Sequence, residues 1–164
     1  MDKQPTVLII MGVSGTGKST IGTKLSKRLD FPFFDGDDYH PEENVQKMSA
    51  GIPLNDDDRK GWLERLNQLA IEHKATGAII ACSALKENYR GILRNQMGNT
   101  LQFVHLEGSY DLITSRLKAR KGHFMTAALL QSQFDTLEPP KDAIIVSIKL
   151  SPENIVDTIV KQLD

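Results

Sequence analysis

The 164-residue chain has a single cysteine, Cys82, so it can form neither an intrachain disulfide nor a zinc site built on thiolate pairs. A reducing compartment is expected, with the cytoplasm as the default location. Neither charge is in excess: 20 Lys and Arg against 21 Asp and Glu leave a formal net charge of −1. With no basic field to attract nucleic acid or an anionic membrane, any anion must be held by a local site. No apolar run reaches the roughly 20 residues of a membrane span. The run near the N-terminus, Val7 to Met11, also lacks the small-residue ending of a cleaved leader. His40, His73 and His123 have no metal-ligand spacing; His73 reads as surface helix, and His105 as a core or edge strand residue. Repeats, low-complexity tracts and linkers are missing too. Residues 1–164 therefore read as one domain, whose 40% apolar content suffices for a single core.

What is present begins at Gly12. Gly12-Val13-Ser14-Gly15-Thr16-Gly17-Lys18-Ser19 is the Gly-x4-Gly-Lys-Ser/Thr phosphate-binding pattern, directly after the apolar run. Its glycines let successive N–H groups turn toward phosphate oxygens, and the helix that follows adds the positive end of its dipole. A nucleoside triphosphate is the expected ligand. Lys18 is expected to reach its β/γ-phosphates and Ser19 to ligate Mg²⁺, with Thr20 completing the nucleotide site.

Strand-like runs recur at Val7 to Met11, Phe31 to Phe34, Ala78 to Cys82, Leu101 to Leu106 and Ala143 to Ile148. Helix-period segments separate them, which predicts a parallel α/β sheet. Ile21, Leu25 and Leu29 form the buried stripe of the first helix, with Lys24, Lys27 and Arg28 near its end. Asp56-Asp57-Asp58 supply the N-cap and first turn of another, carrying Trp62, Leu63, Leu66, Leu69 and Ala70. Further helices are expected at Leu85 to Arg94, Tyr110 to Ala119, Ala127 to Leu137, and from Ser151-Pro152-Glu153 with proline at its first position.

Ligands of such sheets sit beyond the carboxyl ends of the strands. There, Asp35-Gly36-Asp37-Asp38-Tyr39-His40 places two carboxylates on a turn, one for the Mg²⁺ water shell and one for an acceptor hydroxyl, unless they only cap a solvated turn. Arg59 is either a ligand or half of a surface ion pair. Lys86 and Arg90, four residues apart, face one ligand from a single helix side or form a solvated basic face. Cys82 reads as buried filler. The basic stretch from Arg116 to Phe124 fits either a lid whose cations neutralise a moving phosphoryl group or an ordinary helix C-terminus.

Together these segments resemble the bacterial-type gluconate kinases, small relatives of shikimate and nucleoside-monophosphate kinases. The resemblance runs almost end to end. It rests on the phosphate loop, on Asp35 to Pro41, Gly51 to Arg59 and Cys82 to Lys86, and on Arg116 to Phe124 followed by Leu129 to Phe134. Gly61 and Thr126 depart from it, standing where those kinases often have proline; neither is a proposed chemical group.

The resemblance implies a P-loop NTPase fold with a five-stranded parallel sheet of order 2-3-1-4-5 and a mobile lid at about 116–136. It also implies ATP-dependent phosphorylation of D-gluconate at the C6 hydroxyl, and a homodimer. Asp37 is then the preferred base and Asp35 the group behind Mg²⁺, two roles that can be exchanged. Arg59, Lys86 and Arg90 are candidates for the gluconate carboxylate, and His40, Ser83, His123 and Gln133 for its hydroxyls. Arg116 stacks on adenine opposite Pro152, and Arg120 reaches the transferring phosphoryl. Two competing readings are a kinase of the same fold acting on shikimate or a nucleoside monophosphate, and a nucleotide-dependent switch without acceptor chemistry. The Asp35/Asp37 pair would lack a purpose in a switch, and no Asn-Lys-x-Asp guanine-reading segment occurs.

Overall fold

The computed structural model describes residues 6–119 and 127–163. Five strands, β1 (Val7–Met11), β2 (Phe33–Asp35), β3 (Ala78–Ala81), β4 (Leu101–Glu107) and β5 (Ala143–Ser147), form one sheet of order β2-β3-β1-β4-β5. Every neighbouring pair is parallel. β1 is buried at all five positions because helices cover both faces of the sheet, which is why it reads as a continuous apolar run. Leu8 and Ile10 point into one core with Ile21, Leu25 and Ile159; Val7, Ile9 and Met11 point into the other with Trp62, Leu66 and Tyr89.

The first helix, α1 (Lys18–Leu29), buries Ile21, Leu25 and Leu29 as their spacing predicts. α2 (Glu42–Ser49) was not foreseen, for a physical reason: its one buried residue is the polar Asn44, so no apolar stripe marks it. A signal was nevertheless present, since Pro41 and the acidic pair Glu42-Glu43 form a helix start. In α3 (Asp56–Glu72) the cap is Asn55, not the three aspartates. Asn55 accepts from the Asp58 N–H while the Asp58 carboxylate accepts from the Asn55 N–H, a reciprocal capping box that frees Asp56 for other contacts. α4 (Glu87–Arg94) starts two residues later than expected, whereas α5 (Tyr110–Ala119) has the expected bounds. α6 (Ala127–Thr136) and α7 (Pro152–Leu163) complete the chain.

The strand register decides what meets at the carboxyl edge. Ala81 of β3 is level with Asp35 of β2 on one side and Ile10 of β1 on the other. The three segments that leave these strands, with Gly12, Gly36 and Cys82-Ser83 at their heads, therefore emerge side by side.

Candidate active site

Gly12, Gly15 and Gly17 take φ of 145°, 85° and 89°, values that L side chains rarely adopt. Gly12 is closely confined as well: a Cβ there would stand 2.8 Å from the Leu106 carbonyl oxygen. The Lys18 ammonium folds back over the loop, donating to the Gly12 and Val13 carbonyls at 3.0 Å each. Burial lowers the pKa of Lys18, opposed by Asp37, Cys82 and Asp35. Thr16, buried, ties its hydroxyl to Val13 O. Ser19 and Thr20 stand exposed at the start of α1.

Opposite the loop, Asp35 caps the short 3₁₀ turn Gly36–Tyr39. Its Oδ1 accepts from the Asp37 N–H at 3.1 Å and its Oδ2 from the Ser19 hydroxyl at 3.2 Å, so both oxygens are engaged. Gly36 has no room for a side chain, because a Cβ would lie 2.4 Å from Ala81 O. Trp62 holds the turn from below by donating from Nε1 to Gly36 O at 2.8 Å. The Asp37 side chain remains 85% exposed. Partial desolvation, then the Asp35 carboxylate, raise its pKa above the ordinary value against the pull of His40 and Lys18.

His40 lies behind Asp37. Its ring stacks on Trp62 with centroids 4.1 Å apart, and only 5% of its side chain is exposed. The Asn44 amide donates toward Nδ1 at 3.2 Å, which assigns the proton to Nε2, 3.9 Å from Asp37 Oδ1. Burial lowers the pKa of the imidazole, against the pull of Asp37. His40 thus flanks the carboxylate from within the wall.

Beside the turn opens a cavity of about 580 Å³, lined by Arg59, Ser83, Lys86, Tyr89 and Gln133 among others. Arg59 Nη1 donates to the Tyr89 hydroxyl at 3.1 Å, and that hydroxyl donates to Asp56 Oδ1 at 2.5 Å. Lys86 reaches the same Asp56 oxygen at 3.2 Å. Both cations also lie over the Tyr89 ring, at 5.6 and 5.5 Å from its centroid. The sequence reading missed Tyr89 and Asp56 as members of this group. Lys86 directly precedes α4 and Tyr89 lies in its first turn, and this closeness in sequence was the signal available in advance.

Arg90 does not join them. Its side chain is 0% exposed, with Nη2 donating to Leu85 O at 3.5 Å and Glu138 O at 2.5 Å, and Nε 3.3 Å from Glu87 Oε2. The structure therefore corrects the pairing of Arg90 with Lys86 on a single face. Lys86 is the extended residue before α4, whereas Arg90 lies inside the helix on its buried side. Arg90 braces the junction between α4 and the segment leading to β5. Arg90→Ala is expected to cost about 3 kcal/mol, since it leaves buried carbonyls unpaired and a cavity behind. That corresponds to a Tm lower by roughly 6–12 °C in thermal denaturation; an unchanged Tm would show that the bracing has no structural weight.

Arg116 is anchored four residues before Pro152. Arg116 Nη2 donates to Ile148 O at 2.6 Å, on the turn that leads into Pro152 and α7. Gln133 of α6 touches the loop directly, its Oε1 accepting from the Ser14 N–H at 2.7 Å. Arg120 and His123 lie outside the described residues, as does residue 120–126 of the expected lid. Cys82 is buried and its thiol is pushed up to about 12 by desolvation, so it is inert filler as expected.

A phosphate loop between β1 and α1, a carboxylate turn after β2 and a cationic cavity beside them define the class: a phosphate-loop phosphotransferase of the small-molecule kinase type. The shikimate kinase family model matches residues 14–164. Thermoresistant gluconokinase of Escherichia coli K12 is 44% identical over 161 residues, covering 94% of this chain and 91% of the relative. Gluconokinase of Gluconobacter oxydans is also 44% identical, over 99% of this chain and 92% of its own. A crystal structure of a gluconokinase from Sinorhizobium meliloti superposes with a TM-score of 0.89 at 38% identity, covering 99% of this chain and 93% of that one. The chain belongs to the shikimate kinase family and, within it, to the gluconokinases.

Proposed function

We propose that the chain transfers the γ-phosphoryl group of ATP to the C6 hydroxyl of D-gluconate, giving 6-phospho-D-gluconate and ADP. The observation that carries this reading is the cavity with two cations, Arg59 and Lys86, whose lining residues Trp62 and Gln133 bond to Gly36 of the carboxylate turn and to Ser14 of the phosphate loop. A sugar acid needs these features together: cations for its carboxylate, polar groups such as Ser83 for its hydroxyls, and a carboxylate near the loop for the hydroxyl that reacts. Asp35 is committed to Ser19 and to its own turn, so the less engaged Asp37 is assigned as the base. The acceptor oxygen attacks the γ-phosphorus as its proton passes to Asp37, and the bond to the β-phosphate bridging oxygen breaks to release ADP. Lys18 leaves the loop carbonyls for the phosphates, and Arg116 with Pro152 borders the adenine.

Mg²⁺ fits the donors present. Among the described residues no group of three or more His, Cys, Asp or Glu could hold a metal ion. One hydroxyl, Ser19, backed by one carboxylate, Asp35, suits a cation that keeps most of its waters and takes its remaining ligands from phosphate. When bound, Mg²⁺ neutralises charge on the β- and γ-phosphates. The family resemblance supports a homodimer, and the lone buried thiol is in keeping with the cytoplasm. No helix among the described residues is long and apolar enough to cross a membrane.

The test is a coupled assay of ADP formation from MgATP with D-gluconate, glucose, shikimate, AMP or no acceptor. Selective turnover with gluconate and recovery of 6-phosphogluconate is the expected result. Acceptor-independent hydrolysis would overturn the kinase reading, and selective turnover with another acceptor would overturn the substrate.

A further inference from the structure

Gln133 is shared between two sites. Its amide is held at Ser14 by two hydrogen bonds, Oε1 accepting from the backbone N–H at 2.7 Å and Nε2 donating to the hydroxyl at 3.1 Å. Because a backbone N–H can only donate, the amide orientation follows from chemistry. The same residue lines the 580 Å³ cavity together with Ser132 and Thr136 of α6. Ser14 is 119 residues away in sequence and lies in the loop whose N–H groups are there to receive phosphate. A neutral side-chain oxygen therefore occupies a donor of the phosphate loop.

We infer that Gln133 makes nucleotide and acceptor bind synergistically, by serving Ser14 until nucleotide claims that N–H and the acceptor once it has. This rests on the kinase reading of the cavity and adds a residue role to it. A phosphate oxygen is charged, and charge-assisted hydrogen bonds are roughly twice as strong as neutral ones, so nucleotide takes the Ser14 N–H from the amide. The released amide stays on the wall of the cavity, where a polyhydroxylated acceptor offers it hydroxyl partners. One amide cannot fully serve both. Nucleotide binding thus prepares the cavity, and by linkage the acceptor strengthens nucleotide binding by the same factor.

The experiment is calorimetric titration of the full chain with Mg²⁺ and the non-hydrolysable analogue AMPPNP, with and without D-gluconate, and the converse. In the unsubstituted protein each ligand is expected to tighten the other by about fivefold or more, the lower end of measured couplings. Gln133→Met keeps the length and removes the hydrogen bonds. It is expected to bring the coupling ratio to about 1 and to bind AMPPNP alone more tightly, because a competitor for the loop is gone. Gln133→Glu is expected to move the other way, weakening AMPPNP alone by placing a carboxylate against the loop. A purely structural role would weaken nucleotide binding in both variants. Coupling that persists in Gln133→Met, or gluconate binding without coupling in the unsubstituted protein, would overturn the role of Gln133 and leave the kinase reading standing. Absence of gluconate binding would overturn both.

Discussion

Asp37→Asn is expected to lower turnover by about 10²- to 10⁴-fold, the range of a positioned general base, while AMPPNP binding and the fold persist. The two carboxylates of the turn are not equivalent. Asp35 has one oxygen on Ser19 and the other on a backbone N–H, whereas the Asp37 side chain is exposed. Asparagine can still accept a hydrogen bond at that position but cannot take a proton. Because partial desolvation and Asp35 raise the Asp37 pKa, kcat/KM is expected to fall with decreasing pH at a value above the ordinary carboxylate range, and the variant to lose that limb. The same shift has a consequence for stability. Between the ordinary and the raised pKa the native state binds more protons than the unfolded one, so stability declines as pH rises through that window. At neutral pH the ionised Asp37 is therefore destabilising, and Asp37→Asn is expected to melt higher than the unsubstituted protein. That difference should disappear below the ordinary carboxylate pKa. Turnover close to the original would move the base elsewhere, and a lower Tm at neutral pH would contradict the electrostatics.

Arg59→Ala is expected to raise the KM for gluconate by about a hundredfold or more, since two hydrogen bonds to a charged partner contribute about 1.5–3 kcal/mol each. The KM for ATP is expected to change far less. Removing the guanidinium also strips the Tyr89 hydroxyl of its donor and leaves the Asp56 carboxylate facing the incoming carboxylate with Lys86 alone. Repulsion adds to the lost attraction. Arg59→Lys keeps the charge without the planar fork and is expected to fall between the two. Initial-rate kinetics with each substrate varied in turn decide the point. An unchanged gluconate KM would remove Arg59 from the carboxylate subsite.

Part of this site was legible in advance because its chemistry is local. The phosphate loop needs glycines within a few residues of one another, and the positive φ of Gly12, Gly15 and Gly17 is the conformation their spacing anticipates. The α5 boundaries and the proline opening α7 likewise depend on neighbours in sequence. Cap assignment was less secure. Four consecutive residues, Asn55 to Asp58, all have capping side chains, and only the chain direction into α3 selects Asn55. α2 was hidden because a helix that buries an asparagine shows no apolar period.

By itself, then, the sequence determined the parallel sheet, through the alternation of strand and helix segments along the chain, and the phosphate loop and the carboxylate turn after β2, through residue order within a single turn. Tertiary structure alone decided which cations share a cavity. Lys86 and Arg90 have the spacing of partners, yet the packing of α4 turns Arg90 onto Glu138 O and leaves Lys86 with Asp56, 30 residues earlier. The contact of Gln133 with Ser14 was decided in the same way, by where α6 comes to rest. Periodicity specifies the side of a helix on which a residue lies, and only the packing of that helix on the sheet specifies what the side meets.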